Sequence, residues 1–378
     1  MADPVISLLR DLVAIDSVNP SLVPGAAGEA EIASAIASYM RRMGLDVHVQ
    51  EAAPGRPNVI GVLDGVEPGR SLMLCGHVDT VGVAGMTDPF DPIVRGGRLY
   101  GRGSQDMKAG VAAMIDAVRL ARDRGFRKGR LLIAAVVDEE YASLGADALV
   151  REWKADVAIV TEPTDLQIGV GHKGFAWAAV ETRGRAAHGS RPKDGRDAIM
   201  RMGRVLNRLE HLDRELQARI PHPLIGAGSL HASVIEGGRE LSSYPDSCRL
   251  QLERRTVPGE SVETFGREME DVLARLCLED AQFEGSVTLL FSRPPYEIPP
   301  THALPQALRQ AAGSAGADAP LVGMSFWTDA AILGGAGIPA VLFGPGGAGL
   351  HSVEEYVDLS DVITCRDALA TLALNMNW

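Results

Sequence analysis

Apolar residues near the start of the chain recur at the spacing of a helix. The stripe over residues 3–16 consists of Val5, Leu8, Leu9, Leu12 and Ile15. Residues 28–43 repeat the pattern before Gly44. Because a helix turns once in about 3.6 residues, side chains at these intervals share one face. We therefore predict two amphipathic helices ahead of the first strand.

Short apolar runs alternate with helical patterns over the next part of the chain. The runs are Ser71–Cys75, Leu131–Val137, Val157–Val160 and Ala340–Phe343, and an alanine-rich helical pattern at 107–122 separates the first two. Strands that are apolar throughout are typical of parallel sheets that helices cover on both faces. We predict an α/β fold, in which helices sandwich the mainly parallel sheet of a catalytic domain.

The pattern changes between about 174 and 293. This region has amphipathic strand candidates and two long helical patterns: Ala176–Thr182, Leu230–Ile235, Arg249–Arg254, Val287–Phe291, 196–219 and 261–278. The proline pairs at 294–295 and 299–300 then mark a return to the first domain. We predict a discontinuous catalytic domain, 1–173 and 294–378, interrupted by an α+β domain, 174–293.

Composition and charge exclude several classes of function. The net charge of -12 is a poor match to a phosphate backbone, so we expect no nucleic-acid partner. No uninterrupted apolar run reaches membrane-spanning length, and the N-terminus lacks a basic region followed by an apolar stretch, so we expect no membrane partner. The 4 cysteines have no paired spacing, which is typical of a reducing compartment and predicts a cytoplasmic location.

Side chains of metal-binding type follow the predicted strands. A single histidine or glutamate near a strand end is more often structural, but several such groups at one rim favour a metal site. Ligands in open α/β sheets bind outside the carboxyl ends of the strands, where these residues converge. The predicted metal ligands are His77, Asp106, Glu140, Glu162 and His351.

The mixture of imidazole and carboxylate indicates the class of metal. These ligands suit Zn²⁺, Co²⁺ or Mn²⁺, whereas calcium favours oxygen alone and structural zinc favours thiolates. Two divalent cations, three carboxylates and one hydroxide sum to neutral, which a buried site requires. We predict two divalent ions, with zinc as the first expectation and cobalt or manganese as alternatives.

Two further acidic positions have predicted roles beside this cluster. The spacing of two between His77 and Asp79 in an extended segment places both side chains on one side, so Asp79 can orient the imidazole. Glu139 and Glu140 are consecutive and point differently, so one can bind metal while the other stays free as a general base. This arrangement predicts amide hydrolysis by a metal-bound hydroxide.

These motifs together resemble one family of hydrolases. The matching segments are His77-Val78-Asp79, 101–110, Asp138-Glu139-Glu140, Thr161-Glu162-Pro163, 186–190 and 351–355. Over nearly its whole length the chain resembles the acetylornithine deacetylase and succinyl-diaminopimelate desuccinylase family of dinuclear metallopeptidases and deacylases, which includes carboxypeptidase and aminoacylase relatives. The resemblance implies that His77 and Glu162 hold one ion. It also implies that Glu140 and His351 hold the other, that Asp106 bridges both, and that Glu139 is the general base.

The resemblance also implies roles outside the metal cluster. The inserted domain is expected to be a lid that forms a homodimer, and His188 is expected to reach the active site of the other subunit and stabilise the oxyanion. Arg255 matches an arginine that clamps a substrate carboxylate. Ser242 stands where many relatives carry a substrate-binding asparagine, and Thr328, beside Trp327 in a substrate-side loop, is a third substrate-binding candidate. On the residues alone, a surface-loop histidine is the favoured interpretation of His188, and an exposed ion-pairing arginine explains Arg255 equally well.

The expected reaction is hydrolysis of an N-acyl amino acid or a related small amide. A dipeptidase or carboxypeptidase of the same family stays open, because it differs only in the groups that flank the scissile amide. A non-catalytic metal-binding homologue is the alternative of another class, and it would be expected to have lost Glu139 or a ligand. Every one of these positions is filled.

Overall fold

The computed structural model describes residues 3–376 and divides them into two compact units. The first unit holds the described residues up to Val170, together with Ile298–Val322 and those from Thr328 onward. The second unit holds Gly171–Glu297 and Gly323–Trp327. The chain therefore leaves the first unit and returns to it.

The helices and strands of the described residues are numbered in chain order. The helices are α1 (Pro4–Val13), α2 (Ala30–Arg42), α3 (Ala109–Asp123), α4 (Leu144–Glu152), α5 (Ala198–Ala218), α6 (Val262–Glu279), α7 (Ala303–Ser314), α8 (Ala330–Gly335) and α9 (Leu359–Leu374). The strands are β1 (Asp46–Ala53), β2 (Arg56–Asp64), β3 (Glu67–His77), β4 (Ile93–Arg95), β5 (Arg98–Tyr100), β6 (Lys128–Val136), β7 (Val157–Val160), β8 (Ile168–His172), β9 (Gly174–Arg183), β10 (Ser229–Gly237), β11 (Ser247–Thr256), β12 (Glu284–Arg293), β13 (Tyr296–Glu297), β14 (Leu321–Met324), β15 (Ala340–Leu342), β16 (Gly347–Ala348) and β17 (Tyr356–Asp358). A π-helical turn, Ser104–Lys108, precedes α3.

The main sheet of the first unit has the strand order β1-β2-β6-β3-β7-β15-β8. Its four central strands are parallel, since β3 pairs with β6 and β7, and β15 pairs with β7. They are buried, as expected of apolar strands covered on both faces. The prediction of an α/β fold with a mainly parallel sheet is confirmed. Towards the two ends of this order the pairs are antiparallel: β1 with β2, β2 with β6, and β8 with β15.

The register of the parallel strands brings their carboxyl ends to one edge. His77 at the end of β3 is opposite Val136 at the end of β6, and Cys75 is opposite Val160 at the end of β7. Val160 is in turn opposite Leu342 of β15. Residues that follow these strands therefore begin from neighbouring positions.

Helix α3 lies directly against the end of β7. It is buried along most of its length, and Gly110 in its first turn approaches the backbone of Thr161 closely. A Cβ atom at Gly110 would lie 2.0 Å from the Thr161 carbonyl oxygen, so only glycine permits this contact. The close contact fixes the helix start next to the residue that follows β7.

A small antiparallel sheet with the order β16-β17-β5-β4 joins two distant parts of the first unit. Tyr356 of β17 is opposite Tyr100 of β5, and Val357 is opposite Leu99. The pairing brings the segment that follows His351 beside the segment that precedes Asp106. The apolar runs of the sequence do not predict this sheet.

The second unit contains an antiparallel sheet with the order β10-β11-β9-β12 and the helices α5 and α6. Alternate residues of β11, Cys248, Leu250 and Leu252, are buried in a core shared with both helices. The predicted strands and helices of this region are all present, with strand bounds one to three residues wider at most ends. That this unit acts as a lid and forms a dimer stays a prediction.

The longest helix among the described residues is α5, with 21 residues. Its second half has a charged face, with Glu210, Arg214 and Glu215 exposed. No helix within residues 3–376 combines the length and apolar character needed to cross a membrane.

Candidate metal centre

The residues predicted to bind metal meet at the carboxyl edge of the main sheet. His77 ends β3, Glu139 and Glu140 follow β6, and Glu162 follows β7. Asp106 lies in the turn before α3, and the loop between β16 and β17 carries His351. The structure thus brings all five predicted ligands and the predicted base together.

Asp106 occupies the centre of this cluster. Its Oδ1 atom is 3.1 Å from Nε2 of His77, and its Oδ2 atom is 3.5 Å from Nε2 of His351. The second histidine also lies 3.2 Å from Oε2 of Glu140. One carboxylate therefore offers a separate oxygen to each imidazole, which is the arrangement that a bridging ligand requires.

The two glutamates nearest His77 are at almost equal distances from it. Oε2 of Glu162 is 4.0 Å and Oε2 of Glu139 is 3.9 Å from Nε2 of His77. Two groups of three residues each have donor atoms that all lie within 4.8 Å of one another. The first group is His77, Glu139 and Glu162, and the second is His77, Asp106 and Glu140. Both groups have the mixed imidazole and carboxylate composition of a site for zinc-class ions.

Burial changes the protonation of the carboxylates in the cluster. It raises the pKa of Glu140 above its usual value and the pKa values of Glu139 and Glu162 well above theirs, and neighbouring carboxylates add to each shift. Burial opposes the shift of Asp106, but hydrogen bonds from His351 and His77 hold its pKa below the usual range. Such a concentration of acidic groups is stable only with positive charge or protons among them.

The histidines carry the matching shifts. Burial lowers the pKa of His77, yet Asp106 and the surrounding glutamates raise it well above the ordinary value. Hydrogen bonds to Asp106 and Glu140 raise the pKa of His351 to about 10. Protons on these rings supply the charge that divalent cations would supply in their place.

Orphaned oxygen atoms test whether the cluster fits metal ions. Oε1 of Glu140 and Oε1 of Glu162 are buried and have no hydrogen-bond partner among residues 3–376. A buried carboxylate oxygen without a donor is costly unless a cation lies beside it. One such oxygen belongs to each of the two donor sets, so the residues present fit two ions.

Asp79 acts differently from the sequence prediction. The imidazole Nδ1 of His77 contacts the backbone carbonyl of Asp79 at 3.0 Å, while the carboxylate Oδ1 is 3.7 Å away. The carboxylate instead accepts the backbone N–H groups of Glu139 and Glu140, each at 3.2 Å. Asp79 therefore orients the imidazole through its main chain and holds the two glutamates through its side chain.

Sequence analysis missed the role of Glu355. This buried carboxylate accepts the backbone N–H groups of Gly103, Gln105 and Asp106 at 3.0, 2.8 and 3.1 Å. It also accepts a 2.6 Å hydrogen bond from Arg102, whose guanidinium donates to the Ser352 carbonyl at 3.0 Å. Arg102 and Glu355 thus tie the turn of the bridging carboxylate to the loop of His351. The place of Glu355 in the matching segment 351–355 was the signal in the sequence.

Asp329 and Thr328 lie at the start of α8. The charge of Asp329, which sequence analysis did not assign, contributes to the raised pKa of both Glu139 and Glu162, so it lies near the cluster. Thr328 is buried, and its hydroxyl accepts the Ala330 N–H at 3.2 Å. The side chain of Thr328 therefore caps the helix.

The remaining predicted residues belong to the second unit. His188 is exposed and bonds through Nδ1 to the Ser190 hydroxyl at 2.8 Å. Its neighbour Gly189 donates a 2.7 Å backbone hydrogen bond to Ser242, so the segments of two predicted residues lie side by side. Arg255 on β11 forms an ion pair with Glu253 and lies over the Phe175 ring, 5.6 Å from its centre.

A mainly parallel α/β sheet with two sets of imidazole and carboxylate donors at its carboxyl edge defines a metal-dependent hydrolase. The model of peptidase family M20/M25/M40 matches residues 73–375, and the chain belongs to this family. It is a hydrolase of amide bonds. The predicted family and reaction are thus confirmed.

Two curated relatives align over most of the chain. The N-formyl-4-amino-5-aminomethyl-2-methylpyrimidine deformylase of Bacillus subtilis (strain 168) is 31% identical over 373 residues, covering 90% of this chain and 88% of the relative. The acetylornithine deacetylase of Myxococcus xanthus is 32% identical over 374 residues, covering 96% and 94%.

Solved structures support the same fold. A tripeptidase from Staphylococcus aureus subsp. aureus Mu50 has a TM-score of 0.83 at 22% identity and covers 99% of this chain and 98% of its own. A dinuclear metal-binding M20 peptidase from Bacillus subtilis has a TM-score of 0.75 at 17% identity, covering 98% and 96%.

Proposed function

We propose that the protein hydrolyses the amide of a small N-acylated amine at a site for two divalent ions. His77 and Glu162 would hold one ion, Glu140 and His351 the other, and Asp106 would bind both. The observation that carries this proposal is the central position of Asp106, with one carboxylate oxygen facing each histidine. Zinc is the proposed metal, and cobalt and manganese suit the same ligands.

Two ions held there would lower the pKa of a bound water molecule and polarise the scissile carbonyl. Hydrolysis also requires that one proton leave the attacking water and that one reach the departing amine. Glu139 is the proposed carrier of this proton, because burial and the nearby Glu162 raise its pKa and thus its affinity for a proton. The bond from the backbone of Glu139 to Asp79 holds its position.

The leading substrate class is an N-acyl amino acid. The Myxococcus xanthus relative is an acetylornithine deacetylase, and Arg255 has the side chain best suited to a substrate carboxylate. His188, Ser242 and Thr328 are the other proposed substrate contacts. Dipeptides differ from this class in what lies beyond the amide, and they remain the runner-up within the family.

A second substrate class is an N-formyl amine on a heteroaromatic ring. The Bacillus subtilis relative removes a formyl group from an aminomethylpyrimidine, as its name states. In the second unit of this protein, aromatic rings gather around Phe175, with Trp177 at 5.1 Å and Trp327 at 5.9 Å between ring centres. Arg255 is also paired with Glu253, which favours a substrate that has no carboxylate.

A substrate panel combined with metal analysis tests the proposal. Purified protein would be stripped with a chelator, reloaded with Zn²⁺, Co²⁺ or Mn²⁺, and assayed on N-acetyl amino acids, N-succinyl amino acids, an N-formyl aminomethylpyrimidine and dipeptides. We expect two equivalents of metal, loss of turnover on chelation and recovery on reloading. Turnover that survives complete metal removal would disprove the metal mechanism, and the preferred substrate decides between the classes.

We also propose a homodimer formed through the second unit. Strands β10 and β12 are the edges of its sheet, and β10 exposes Val234 and Ile235. Open edges with exposed apolar side chains pair readily with another strand. Sedimentation should give twice the monomer mass for the unmodified protein and the monomer mass for Val234→Lys.

A cytoplasmic location is proposed as well, and four free cysteines support a reducing compartment.

A further inference from the structure

A buried polar network lies behind the turn that carries Glu139 and Glu140. Its members are Glu29, Asn19, Arg56, Asp79 and Asp138, all nearly inaccessible to solvent. Three of these five side chains are carboxylates and one is a guanidinium. None of them belongs to the proposed donor sets, so the reaction described above leaves most of this network without a role.

Arg56 connects the network. Its Nη1 atom donates to Oδ1 of Asp138 at 2.7 Å, and its Nη2 atom donates to Oδ1 of Asn19 at 3.1 Å. Its Nε atom donates to Glu29 at 3.0 Å, with a second bond to the same carboxylate. The guanidinium therefore uses three nitrogen atoms to bind three different side chains of the network.

Asn19 connects Arg56 to Asp79 through its hydrogen bonds. Its Nδ2 atom donates to Oδ2 of Asp79 at 2.8 Å and to Oδ1 of Asp138 at 3.1 Å. An amide side chain can be turned over, and its oxygen would then face two carboxylates. The amide oxygen accepts bonds from Arg56 and, at 2.8 Å, from the Ser21 backbone N–H, and these two bonds exclude that orientation. Arg56 and the Ser21 N–H together keep the Nδ2 atom of Asn19 towards the two carboxylates.

Asp79 and Asp138 in turn hold the two glutamates. Asp79 accepts the backbone N–H groups of Glu139 and Glu140, as described above. Asp138 begins the turn in a left-handed conformation with φ of 69°. Its carboxylate accepts the Leu144 N–H at 3.3 Å, and its carbonyl accepts the Ala142 N–H at 3.1 Å. Contacts therefore fix the turn on both sides of the adjacent glutamates.

We propose that Arg56 is a positioning residue for the catalytic turn. It fixes Asn19 and Asp138, and through Asp79 it sets where the Glu139 and Glu140 carboxylates point. The inference rests on the proposed roles of Glu139 as base and Glu140 as metal ligand. An arginine is required because a lysine ammonium is a single point of charge, whereas this site uses a planar fork with separate donors.

The alternative is that Arg56 contributes to stability alone. Removing one member of a buried ion pair is strongly destabilising wherever the pair lies. The first unit offers a control in Arg366, which is also buried and binds three carboxylates, Asp3 at 2.6 Å, Asp116 at 3.2 Å and Asp367 at 3.0 Å. Its partners do not contact the Glu139–Glu140 turn. Comparison of the two arginines separates positioning from stability.

The test is a titration of the metal-free full chain with Co²⁺, alongside kinetics of the metal-saturated protein on the amide that the substrate panel identifies. Because Glu140 is displaced, Arg56→Gln is expected to weaken the more weakly held ion about 10- to 100-fold. At saturating metal, kcat is expected to fall about 100-fold while KM changes little, because the base is misplaced. Arg56→Lys should recover only part of both losses.

Arg366→Gln is expected to lower the unfolding temperature but to keep Co²⁺ affinity and kcat within about twofold of the unmodified protein, as for a site apart from the turn. Asn19→Ala removes one connection with a smaller change, and it should give the Arg56→Gln pattern at reduced size if that variant does not fold. Unchanged Co²⁺ affinity and kcat in a folded Arg56→Gln or Asn19→Ala variant would overturn the inference. Equal losses in Arg366→Gln would do the same.

A separate pair of variants distinguishes failure of this inference from failure of the proposed function. Glu140→Gln should bind one Co²⁺ ion less, whereas Glu139→Gln should keep both. If these two variants behave as stated while Arg56→Gln has no effect, only the positioning role is wrong. If Glu140→Gln retains both ions, the proposed ligand set itself is wrong.

Discussion

The metal-binding edge of the first unit and the predicted substrate residues of the second unit are built in contrasting ways. At the edge, His77 and Glu162 are buried, and backbone hydrogen bonds to Asp79 and Glu355 hold the segments that carry the other ligands. In the second unit, His188 and Ser242 are exposed and each is held through one or two local contacts. The reacting groups are fixed, whereas the groups proposed to choose the substrate are held loosely.

This contrast teaches where each kind of change should have its effect. A site whose segments are held by buried backbone hydrogen bonds tolerates little displacement, because a shift of about 1 Å costs on the order of 100-fold in rate. The exposed Ser242 can be replaced with little effect on its surroundings. Two relatives of this chain with similar identity to it differ in the substrate that their names state, as the deformylase and the deacetylase do.

The largest effect is expected for Glu139→Gln. The amide cannot accept the proton of the attacking water, so kcat should fall about 10²- to 10⁴-fold. Metal content measured by atomic emission should stay at two ions per chain. Glu140→Gln is the contrasting neighbour, since it should lose metal as well as activity. Near-normal turnover of Glu139→Gln would show that Glu139 is not the general base.

Glu355→Gln should give the next largest effect. The neutral amide cannot accept all the bonds that hold the Asp106 turn, so metal affinity should fall about 10- to 100-fold. Titration of the metal-free protein with Zn²⁺ measures this loss. The neighbouring Glu354 is exposed, and Glu354→Gln is the matched control, expected to leave affinity unchanged. Equal behaviour of the two variants would show that burial and backbone bonds do not matter at this edge.

Arg255→Met tests the predicted substrate residues of the second unit. With a substrate that has a carboxylate, KM should rise about 10-fold or more, because a charge-assisted hydrogen bond is lost. With an N-formyl heteroaromatic amine, KM should change little. Arg249→Met is the control, because Arg249 is exposed and lies on the same face of β11. A fall in metal content of Arg255→Met would contradict the separation of the two regions.

His172 gives the smallest effect, on stability alone. Burial lowers the pKa of this second-unit histidine from 6.5 to about 4, so the folded chain keeps it neutral where the unfolded chain binds a proton. The stability that comes from keeping His172 neutral is therefore fully present above about pH 6.5 and is lost as the pH falls towards 4. Between pH 7 and 5 the loss should be about 2 kcal/mol.

Denaturant unfolding of metal-free protein at both pH values measures this term. His172→Gln should unfold with a shallower dependence on pH than the unmodified protein. The exposed His211 provides the control, and His211→Gln should keep the original dependence. An unchanged slope in His172→Gln would mean that the buried ring is not kept neutral.

Strands of the main sheet could be predicted where burial alone specifies them. The run Val157–Val160 is β7 with the same bounds, and the helical pattern at 107–122 is α3, Ala109–Asp123. The small sheet could not be predicted, because β5 and β17 have three residues each and form through pairing between distant segments. Their apolar pattern is too short to indicate a strand without the partner.

The candidate site could be predicted to the level of side-chain type. A strand end followed by histidine or glutamate is visible in the sequence, and the structure gathers those residues. The supporting bonds are not visible, because they join carboxylates to backbone N–H groups whose direction depends on turns such as the one that starts at Asp138. Arg56 lies far from Asp138 in sequence, and no pattern relates the two.

The discontinuous first unit has a consequence for how the protein is made. Its main sheet carries His77 early in the chain, while His351 arrives only near the end, after the entire second unit has been synthesised. At ~5–20 residues per second, a ribosome needs on the order of tens of seconds to add the last imidazole after the first. During that interval the nascent chain contains the acidic ligands and His77 but lacks His351. We therefore expect the metal ions to bind after the polypeptide has been synthesised and not to direct its early folding.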